Sequence, residues 1–447
     1  MSHFSGGVHP ATHKTLTNAS PVKRAFIPKK VVLPLSQHVG APAVPAVAVG
    51  DTVKLGQVIA RQNGFISSPV HATIAGKVTK IGHSPTPVQG RVTAVTIEAQ
   101  GGEDQAFKPA GHDPRTLSKE ELLMIIRDAG IVGLGGAAFP TYVKLSPPPT
   151  KKIDTIIING AECEPYLTCD HRLMVEKPKE ILKGIEIITK VLGVRTVIIG
   201  IEDNKRAAIY NMERAVSGTK TPVPRLRSIK RKEGLDVNVE TLHTRYPQGA
   251  EKQLIAALLD RVVPAGGLPM DIGCVVQNVG TVFAIFEAVY GGKPLIERTI
   301  TLTGDCLKEP VNTCVRIGTL VSDLIEHFGP FGKDPHKVVV GGPMMGVAQY
   351  TMDVPIIKGT SGVLFLSKER SAMSPESVCI RCGKCIEACP MQLVPTALMN
   401  RVKKEQFAEA KELGIMNCYE CGACAYSCPA KIPLLDYMKY GKSKIRP

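Results

Sequence analysis

The chain has 447 residues, 44% of them hydrophobic and 21% charged, and its formal net charge is +15. This composition predicts a globular protein of several domains and excludes a fibrous or intrinsically disordered chain. The basic run between Arg225 and Lys232 has no aromatic residues interleaved with its cations. We therefore expect a solvated loop there, and no nucleic-acid partner.

The first hundred residues contain short β-branched runs separated by glycine and proline. Residues 31–100 therefore predict a small all-β unit. The uncharged stretch Val31–Gly50 is interrupted by three prolines, so we do not expect it to span a membrane. Met1–Pro10 lacks the apolar run of a secretory signal, and we expect a chain that is not exported.

Apolar periodicity changes between residues 116 and 290, where helical and extended patterns alternate. The predicted helices are Leu117–Ala129, Ile181–Leu192, Ala250–Leu259 and Thr281–Val289. The predicted strands are Ile153–Ile158, Val197–Gly200, Val237–Leu242 and Ile272–Val276. This alternation predicts an α/β domain with mainly parallel strand pairing. Residues 291–365, with a strand at Glu297–Leu302 and a helix at Thr319–His327, predict a smaller α+β module.

Eight of the thirteen cysteines form two matched motifs near the C-terminus. The motifs are Cys379-x-x-Cys382-x-x-Cys385-x-x-x-Cys389-Pro390 and Cys418-x-x-Cys421-x-x-Cys424-x-x-x-Cys428-Pro429. This spacing is that of ferredoxins with two [4Fe–4S] clusters, in which the fourth cysteine ligates the other cluster. Structural zinc takes four ligands, usually in two CxxC pairs, and fits this pattern poorly.

We therefore predict crossed ligation, with Cys379, Cys382, Cys385 and Cys428 on one cluster and Cys418, Cys421, Cys424 and Cys389 on the other. A helix is expected to begin at the fourth cysteine of each motif, where proline suits the first helical turn. A helical pattern from about Val394 to Leu413 separates the motifs.

A glycine-rich loop at Gly133–Ala138 formally matches the dinucleotide fingerprint G-x-G-x-x-A. Because a helix precedes it and Phe139-Pro140 follows it, the Rossmann interpretation is disfavoured. Such a loop can still cradle a phosphate or a flat ring through its amides. Two more loops, Asn159–Pro165 and Gln277–Thr281, follow predicted strands, where ligands bind in α/β sheets. Each loop alone is consistent with an ordinary turn, but together they predict a nucleotide-like site.

These loops resemble the flavin- and NADH-binding subunit of respiratory complex I. The resemblance extends to Tyr246-x-x-Gly249-x-Glu251, and residues 291–365 are similar to that subunit's β-grasp (SLBB) domain. Together with the GGVHP segment at Gly6–Pro10, the order of motifs resembles the RnfC family of Rnf complex subunits over nearly the whole chain.

The resemblance implies a multidomain α/β architecture in four parts. The expected ranges are an N-terminal β barrel-sandwich at 1–110, a complex-I-flavoprotein-like α/β domain at 111–290, a β-grasp (SLBB) domain at 291–368 and a ferredoxin-like helical domain at 369–447. It also implies FMN, NAD(H) and two [4Fe–4S] clusters. The expected partners are the other subunits of an ion-translocating membrane complex, including a ferredoxin-like subunit. The expected location is peripheral, at the cytoplasmic face of the cell membrane.

Site residues are carried over from the same motifs. The residues implied for FMN are Gly133, Gly135, Gly136, Lys144, Asn159, Glu162, Asn278 and Thr281. Those implied for the nicotinamide nucleotide are Phe139, Glu164 and Glu251. Where the complex I subunit has acidic residues, this chain has Ala161 and Ala250.

The implied activity is a ferredoxin:NAD⁺ oxidoreductase. Hydride transfer moves two electrons and clusters accept one at a time, so a flavin is the expected converter. No side chain is expected to act as a nucleophile or general base. Two alternatives remain open, a related cobalamin reductase and an electron relay that uses clusters alone beside a degenerate flavin site.

Overall fold

The computed structural model describes residues 4–24, 26–88, 90–102, 104–108, 113–218, 229–230, 235–372 and 374–445. The basic run predicted to be a solvated loop lies outside these residues, apart from the backbone of Lys230. Among the described residues, no helix has the length and apolar character needed to cross a membrane.

Short strands in the first hundred residues form two small antiparallel sheets. The strands up to residue 99 are β1 (Lys23–Arg24), β2 (Lys30–Pro34), β3 (Val44–Pro45), β4 (Thr52–Val53), β5 (Val58–Arg61), β6 (Val70–His71), β7 (Gly76–Thr86) and β8 (Gly90–Ala99). One sheet has the order β2-β8-β7-β4 and the other β3-β5-β6. Buried side chains such as Val31, Ile59 and Val95 fill the space they enclose. The predicted all-β unit is therefore present.

A parallel sheet with helices dominates the middle of the chain. Its elements are α1 (Lys119–Asp128), α2 (Thr141–Lys144), β9 (Thr155–Gly160), α3 (Cys169–Glu176), α4 (Pro178–Leu192), β10 (Thr196–Glu202), α5 (Arg206–Ser217), β11 (Ile229–Lys230), β12 (Asp236–Leu242), α6 (Glu251–Leu259), β13 (Cys274–Asn278) and α7 (Val279–Gly291). The strand order is β11-β12-β10-β9-β13, parallel except for β11. Since β10 and β13 flank β9 on opposite sides, the chain changes winding direction there, which opens a crevice at the carboxyl ends of β9 and β13.

The eight elements predicted between residues 117 and 289 occur within about three residues of their expected bounds, but α2, α3 and α5 were not predicted. Helix α3 lacks a side-chain cap from its own N-cap residue, Thr168. The Glu162 carboxylate accepts instead from the backbone N–H groups of Asp170 and His171, at 2.8 and 3.2 Å. Because this cap comes from an earlier loop, the usual start signal is missing from the sequence.

The SLBB module is a six-stranded sheet with one helix. Its elements are β14 (Glu297–Thr303), β15 (Val311–Arg316), α8 (Val321–Phe328), β16 (Lys337–Val340), β17 (Val347–Gln349) and β18 (Gly362–Leu366). The order is β1-β15-β14-β18-β16-β17, so β1, from the N-terminal segment, supplies an edge strand parallel to β15. The predicted strand and helix are confirmed within two residues.

Short helices carry the cysteine motifs. They are α9 (Lys368–Ser371), α10 (Lys384–Glu387), α11 (Pro395–Lys403), α12 (Phe407–Glu412), α13 (Ala423–Ser427) and α14 (Leu434–Ile445). The helix predicted over 394–413 is in fact two, α11 and α12, separated where Glu405 has a φ of 57°.

The prediction that a helix begins at each fourth cysteine is wrong. Cys389-Pro390 and Cys428-Pro429 lie in turns, and the following helices start at Pro395 and Leu434. Helices α10 and α13 begin earlier, after Gly383 and Gly422, which have φ values of 79° and 78°. Glycine takes this left-handed conformation without steric cost, so the chain can turn into a helix before the third cysteine.

Lys358 lies where the barrel region, the α/β domain and the SLBB module meet, and it is only 1% exposed. Its Nζ donates to the carbonyl oxygens of Pro69 and Gly130, both at 2.7 Å, and to Ser68 Oγ at 3.3 Å. These acceptors are neutral. Burial lowers the pKa of the ammonium from 10.5 to about 7.

We expect Lys358→Met to flatten the dependence of stability on pH. Between pH 7 and 10 the unfolded chain binds the Lys358 proton more tightly than the folded chain, so wild-type stability rises with pH over this window. The free-energy difference between wild type and variant should grow by on the order of 3 kcal/mol across it. Urea unfolding of both proteins from pH 7 to pH 10 measures the difference. The adjacent His38 and His71 have lowered pKa values through burial and stay neutral throughout. A constant difference would show that the carbonyl oxygens retain the ammonium form.

Candidate functional site

The eight motif cysteines gather into two groups of four. Burial raises the pKa of the Cys385 thiol, and three nearby thiols raise it further. Those three belong to Cys428, Cys379 and Cys382. Burial raises the pKa of the Cys424 thiol to about 12, again with three contributing neighbours. Those neighbours are Cys418, Cys421 and Cys389. Each group therefore takes its fourth cysteine from the other motif, because α10 and α13 lie against each other.

We call Cys379, Cys382, Cys385 and Cys428 the outer group, and Cys389, Cys418, Cys421 and Cys424 the inner group. The inner group lines an apolar cavity with an empty volume of about 390 Å³. Backbone N–H groups already point at two of its sulfurs, Leu393 to Cys389 Sγ at 3.3 Å and Glu420 to Cys418 Sγ at 3.4 Å. Crowded thiols with N–H donors are a donor set that suits an iron–sulfur cube, which binds thiolates and is tuned by such hydrogen bonds.

The two groups differ in their surroundings. The inner group is next to the α/β domain, where the Tyr246 hydroxyl donates to the Cys421 carbonyl at 2.7 Å. In the outer group, Cys382 is exposed. Its flanking residues Val378 and Ile380 are 88% and 68% exposed. One group therefore faces the nucleotide domain, while the other faces solvent.

The glycine loop packs on the start of α7. The Leu134 N–H donates to Thr281 Oγ1 at 2.9 Å. A Cβ added to Gly135 would lie 2.6 Å from Asn278 Nδ2, whereas one added to Gly136 would meet no atom within 4 Å. The loop is thus tight against α7 on one side and open on the other. An open, side-chain-free strip beside a helix N-terminus fits a flat ring and its phosphate.

Asn278 is held on both sides of its amide. Its Oδ1 accepts from the Gly280 N–H and caps α7, while its Nδ2 donates to Asp170 Oδ2, both at 2.7 Å. Burial raises the pKa of Asp170 to about 7, and the Glu162 carboxylate adds to the shift. Asp170 was missed by the sequence reasoning. Its position in the first turn of α3, which the sequence did not predict, was the signal needed to find it.

Lys144 and Glu251 form a half-buried ion pair beside the same loop. Lys144 Nζ donates to Glu251 Oε1 at 2.7 Å and to the Val276 carbonyl at 2.8 Å. Nearby, Asn159 Nδ2 donates to the Gly249 carbonyl at 2.8 Å. The crevice between β9 and β13 therefore brings together the residues predicted for FMN.

Glu164, predicted to lie along the nicotinamide, is engaged elsewhere. Its carboxylate accepts from the backbone N–H groups of Met344 and Met345, at 3.1 and 2.8 Å, in the SLBB module. Burial raises the pKa of this carboxyl to about 7. The other two predicted nicotinamide contacts, Phe139 and Glu251, are half-buried beside the glycine loop.

Four family models match the chain in sequence order. They are the RnfC barrel sandwich hybrid domain at residues 2–102, the Nuo51 FMN-binding domain at 126–287, the SLBB domain at 299–348 and a 4Fe-4S dicluster domain at 378–432. Their order confirms the predicted fold class.

Curated relatives match over nearly the full length. All three are the C components of ion-translocating oxidoreductase complexes. That of the proton-translocating ferredoxin:NAD(+) oxidoreductase complex of Clostridium ljungdahlii is 48% identical, covering 100% of this chain and 94% of the relative. That of the Na(+)-translocating ferredoxin:NAD(+) oxidoreductase complex of Acetobacterium woodii is 43% identical, covering 99% and 97%. That of the ion-translocating oxidoreductase complex of Rhodobacter capsulatus is 39% identical, covering 98% and 82%.

A solved structure of NAD+-reducing [NiFe]-hydrogenase in the H2-reduced state matches with a TM-score of 0.50 and 19% identity. The match covers 76% of this chain and 64% of the hydrogenase chain. At this identity the likeness shows a shared fold.

Proposed function

Because the chain belongs to the RnfC family of the Rnf ion-translocating ferredoxin:NAD(+) oxidoreductase complexes, we propose that it exchanges hydride with NAD(H) and relays single electrons to partner subunits. Family membership confirms the predicted electron-transfer subunit, with FMN and iron–sulfur domains and with the other Rnf subunits as partners. The observation that carries the proposal is the inner group of cysteines, which lies directly against the domain that holds the glycine loop.

FMN, when bound, supplies the conversion between two-electron hydride transfer and one-electron transfer. We assign its contacts to Gly133, Gly135, Gly136, Lys144, Asn159, Glu162, Asn278 and Thr281. Lys144 offers an ammonium group to an anionic oxygen, and Gly136 leaves open space for a flat ring. Asn278 is oriented for such a role because Asp170 and Gly280 fix its amide.

For the nicotinamide nucleotide we assign Phe139, Glu164 and Glu251. Glu251 supports this role because it forms an ion pair with Lys144, beside the glycine loop. Glu164 would keep its contacts to Met344 and Met345 and so join the SLBB module to the nucleotide site.

The two cysteine groups are assigned as ligands of two [4Fe–4S] clusters. The contact of the inner group with Tyr246 supports its position next to the flavin. The exposure of Cys382 supports a role for the outer group in exchange with a ferredoxin-like subunit. Burial of the inner group away from water limits side reactions with solvent.

The proposal includes the domain ranges 1–110, 111–290, 291–368 and 369–447, together with a peripheral position at the cytoplasmic face of the membrane. The net charge of +15 supports binding to an anionic surface or to acidic partner subunits.

Cofactor analysis of protein purified without oxygen tests the proposal. We expect about eight iron atoms per chain, with extractable FMN whose absorbance is bleached by NADH. Iron without flavin would favour the cluster-only relay. Zinc, or free thiols without metal, would contradict the proposal altogether.

A further inference from the structure

An N-terminal segment, residues 4–24, crosses the molecule from the cysteine motifs to the SLBB sheet, and we call it the strap. At one end the Gly7 N–H donates to the Ala388 carbonyl at 2.9 Å, next to an inner-group cysteine. At the other end β1 pairs with β15, with Lys23 opposite Thr313. The strap therefore contacts regions nearly 400 residues apart in the chain.

The strap passes through a narrow gap beside the inner group. Gly6 has a φ of +77°, and a Cβ there would lie 2.6 Å from the Cys389 carbonyl oxygen and 2.7 Å from its carbon. Gly7 has a φ of +87°, and a Cβ there would lie 2.7 Å from the Tyr246 carbonyl oxygen. Both positions require glycine for two reasons, since the conformation is left-handed and the facing atoms are backbone.

The opposite wall of the gap is Tyr246, which is 1% exposed. The Val8 N–H donates to the Tyr246 carbonyl at 2.7 Å, and the Tyr246 N–H donates back to the Val8 carbonyl at 2.9 Å. The Tyr246 hydroxyl then donates to the Cys421 carbonyl. The strap touches the backbone of Cys389 directly and that of Cys421 through one side chain.

Lys14 ties the same strap to the acidic loop of the flavin site. Its buried ammonium donates to the carbonyl oxygens of Glu162 and Glu164, at 2.8 and 2.9 Å, and also to that of Leu167. Burial lowers the pKa of Lys14. One continuous segment thus holds both the acidic loop and the inner cysteine loop.

We propose that Gly6 and Gly7 are positioning residues for the inner cluster, and that their close backbone packing fixes the inner cysteine loop relative to the flavin site. This inference rests on the proposed function for the occupancy of both sites. Neither glycine offers a side chain to a cofactor, so their effect is on placement alone. Displacement of a reacting centre by about 1 Å can lower a rate roughly a hundredfold.

Gly6→Ala tests the proposal, with Gly64→Ala as its matched control. Gly64 has the same φ of +77° but an added Cβ there would meet nothing within 4 Å, so only Gly6→Ala moves Cys389. Two readouts are needed, the low-temperature electron paramagnetic resonance (EPR) spectrum of the reduced protein and the rate at which NADH reduces the clusters. We expect Gly6→Ala to shift the inner-cluster signal and to slow cluster reduction at least about tenfold. FMN content and the rate of flavin reduction should match the control.

Failure of this inference can be told apart from failure of the proposed function. Wild-type protein without iron or FMN contradicts the proposed function. A wild-type protein with both, and a Gly6→Ala variant indistinguishable from Gly64→Ala, overturns the role of the strap. If Gly6→Ala does not fold, Tyr246→Phe takes its place, because it removes only the hydroxyl that reaches Cys421. An unchanged inner-cluster signal in that variant would likewise overturn the inference.

Discussion

Replacing Cys428 with alanine is expected to remove the cluster of the first cysteine motif, not that of the second motif in which Cys428 lies. The reason is the crossed grouping, in which Cys428 adjoins Cys385 while Cys424 adjoins Cys389. Iron should fall from about eight atoms per chain to about four. In EPR, Cys428→Ala and Cys385→Ala should lose one signal, and Cys424→Ala should lose the other.

The electron path makes these variants distinguishable in kinetics as well. Loss of the inner cluster should abolish NADH-driven reduction of the remaining cluster, whereas loss of the outer cluster should leave NADH reduction of the inner cluster intact. Cys314→Ala is the control, because Cys314 lies in β15 outside both groups. The crossed assignment is wrong if Cys428→Ala and Cys424→Ala lose the same signal.

The second large effect is expected at Lys144, whose replacement by methionine should strip the chain of FMN. A charge-assisted hydrogen bond of this kind contributes about 1.5–3 kcal/mol, which is roughly a 10- to 100-fold change in affinity. FMN retained per chain after gel filtration, and the dissociation constant for added FMN, measure the change. Lys190→Met is the control, since Lys190 donates to the carbonyls of Pro114 and Arg115.

Lys144→Met also leaves Glu251 without its cation, and this second effect must be separated from the first. The double variant Lys144→Met/Glu251→Gln removes the unpaired charge. If Lys144 contacts the flavin, the double variant should still lack FMN. Restored FMN in the double variant would show that Lys144 acts by neutralising Glu251.

The sequence predicted the cysteine sites well because their ligands follow a strict local spacing. The crossed grouping also follows from that spacing, once two equivalent motifs face each other. The local conformation between ligands was predicted less well. Proline after Cys389 suggested a helix start, but the left-handed conformations of Gly383 and Gly422 begin the helices earlier.

Contacts between remote segments were the part that the sequence could not show. Lys14 and Lys358 are buried lysines whose acceptors are mainly backbone carbonyls of distant loops, and carbonyls carry no residue-type signal. The same holds for α3, whose cap comes from Glu162, and consequently for Asp170. The FMN residues were found only because a family resemblance connected loops that single-sequence periodicity treats as ordinary turns.

The contact between Gly7 and Ala388 has a consequence for how the protein is made. The strap leaves the ribosome early, but its partner loop is translated about 380 residues later. At about 5–20 residues per second, this delay is on the order of tens of seconds. The nascent barrel and α/β domain must therefore wait with an unfilled groove, and iron delivery to the inner cysteines has to follow release of the finished polypeptide.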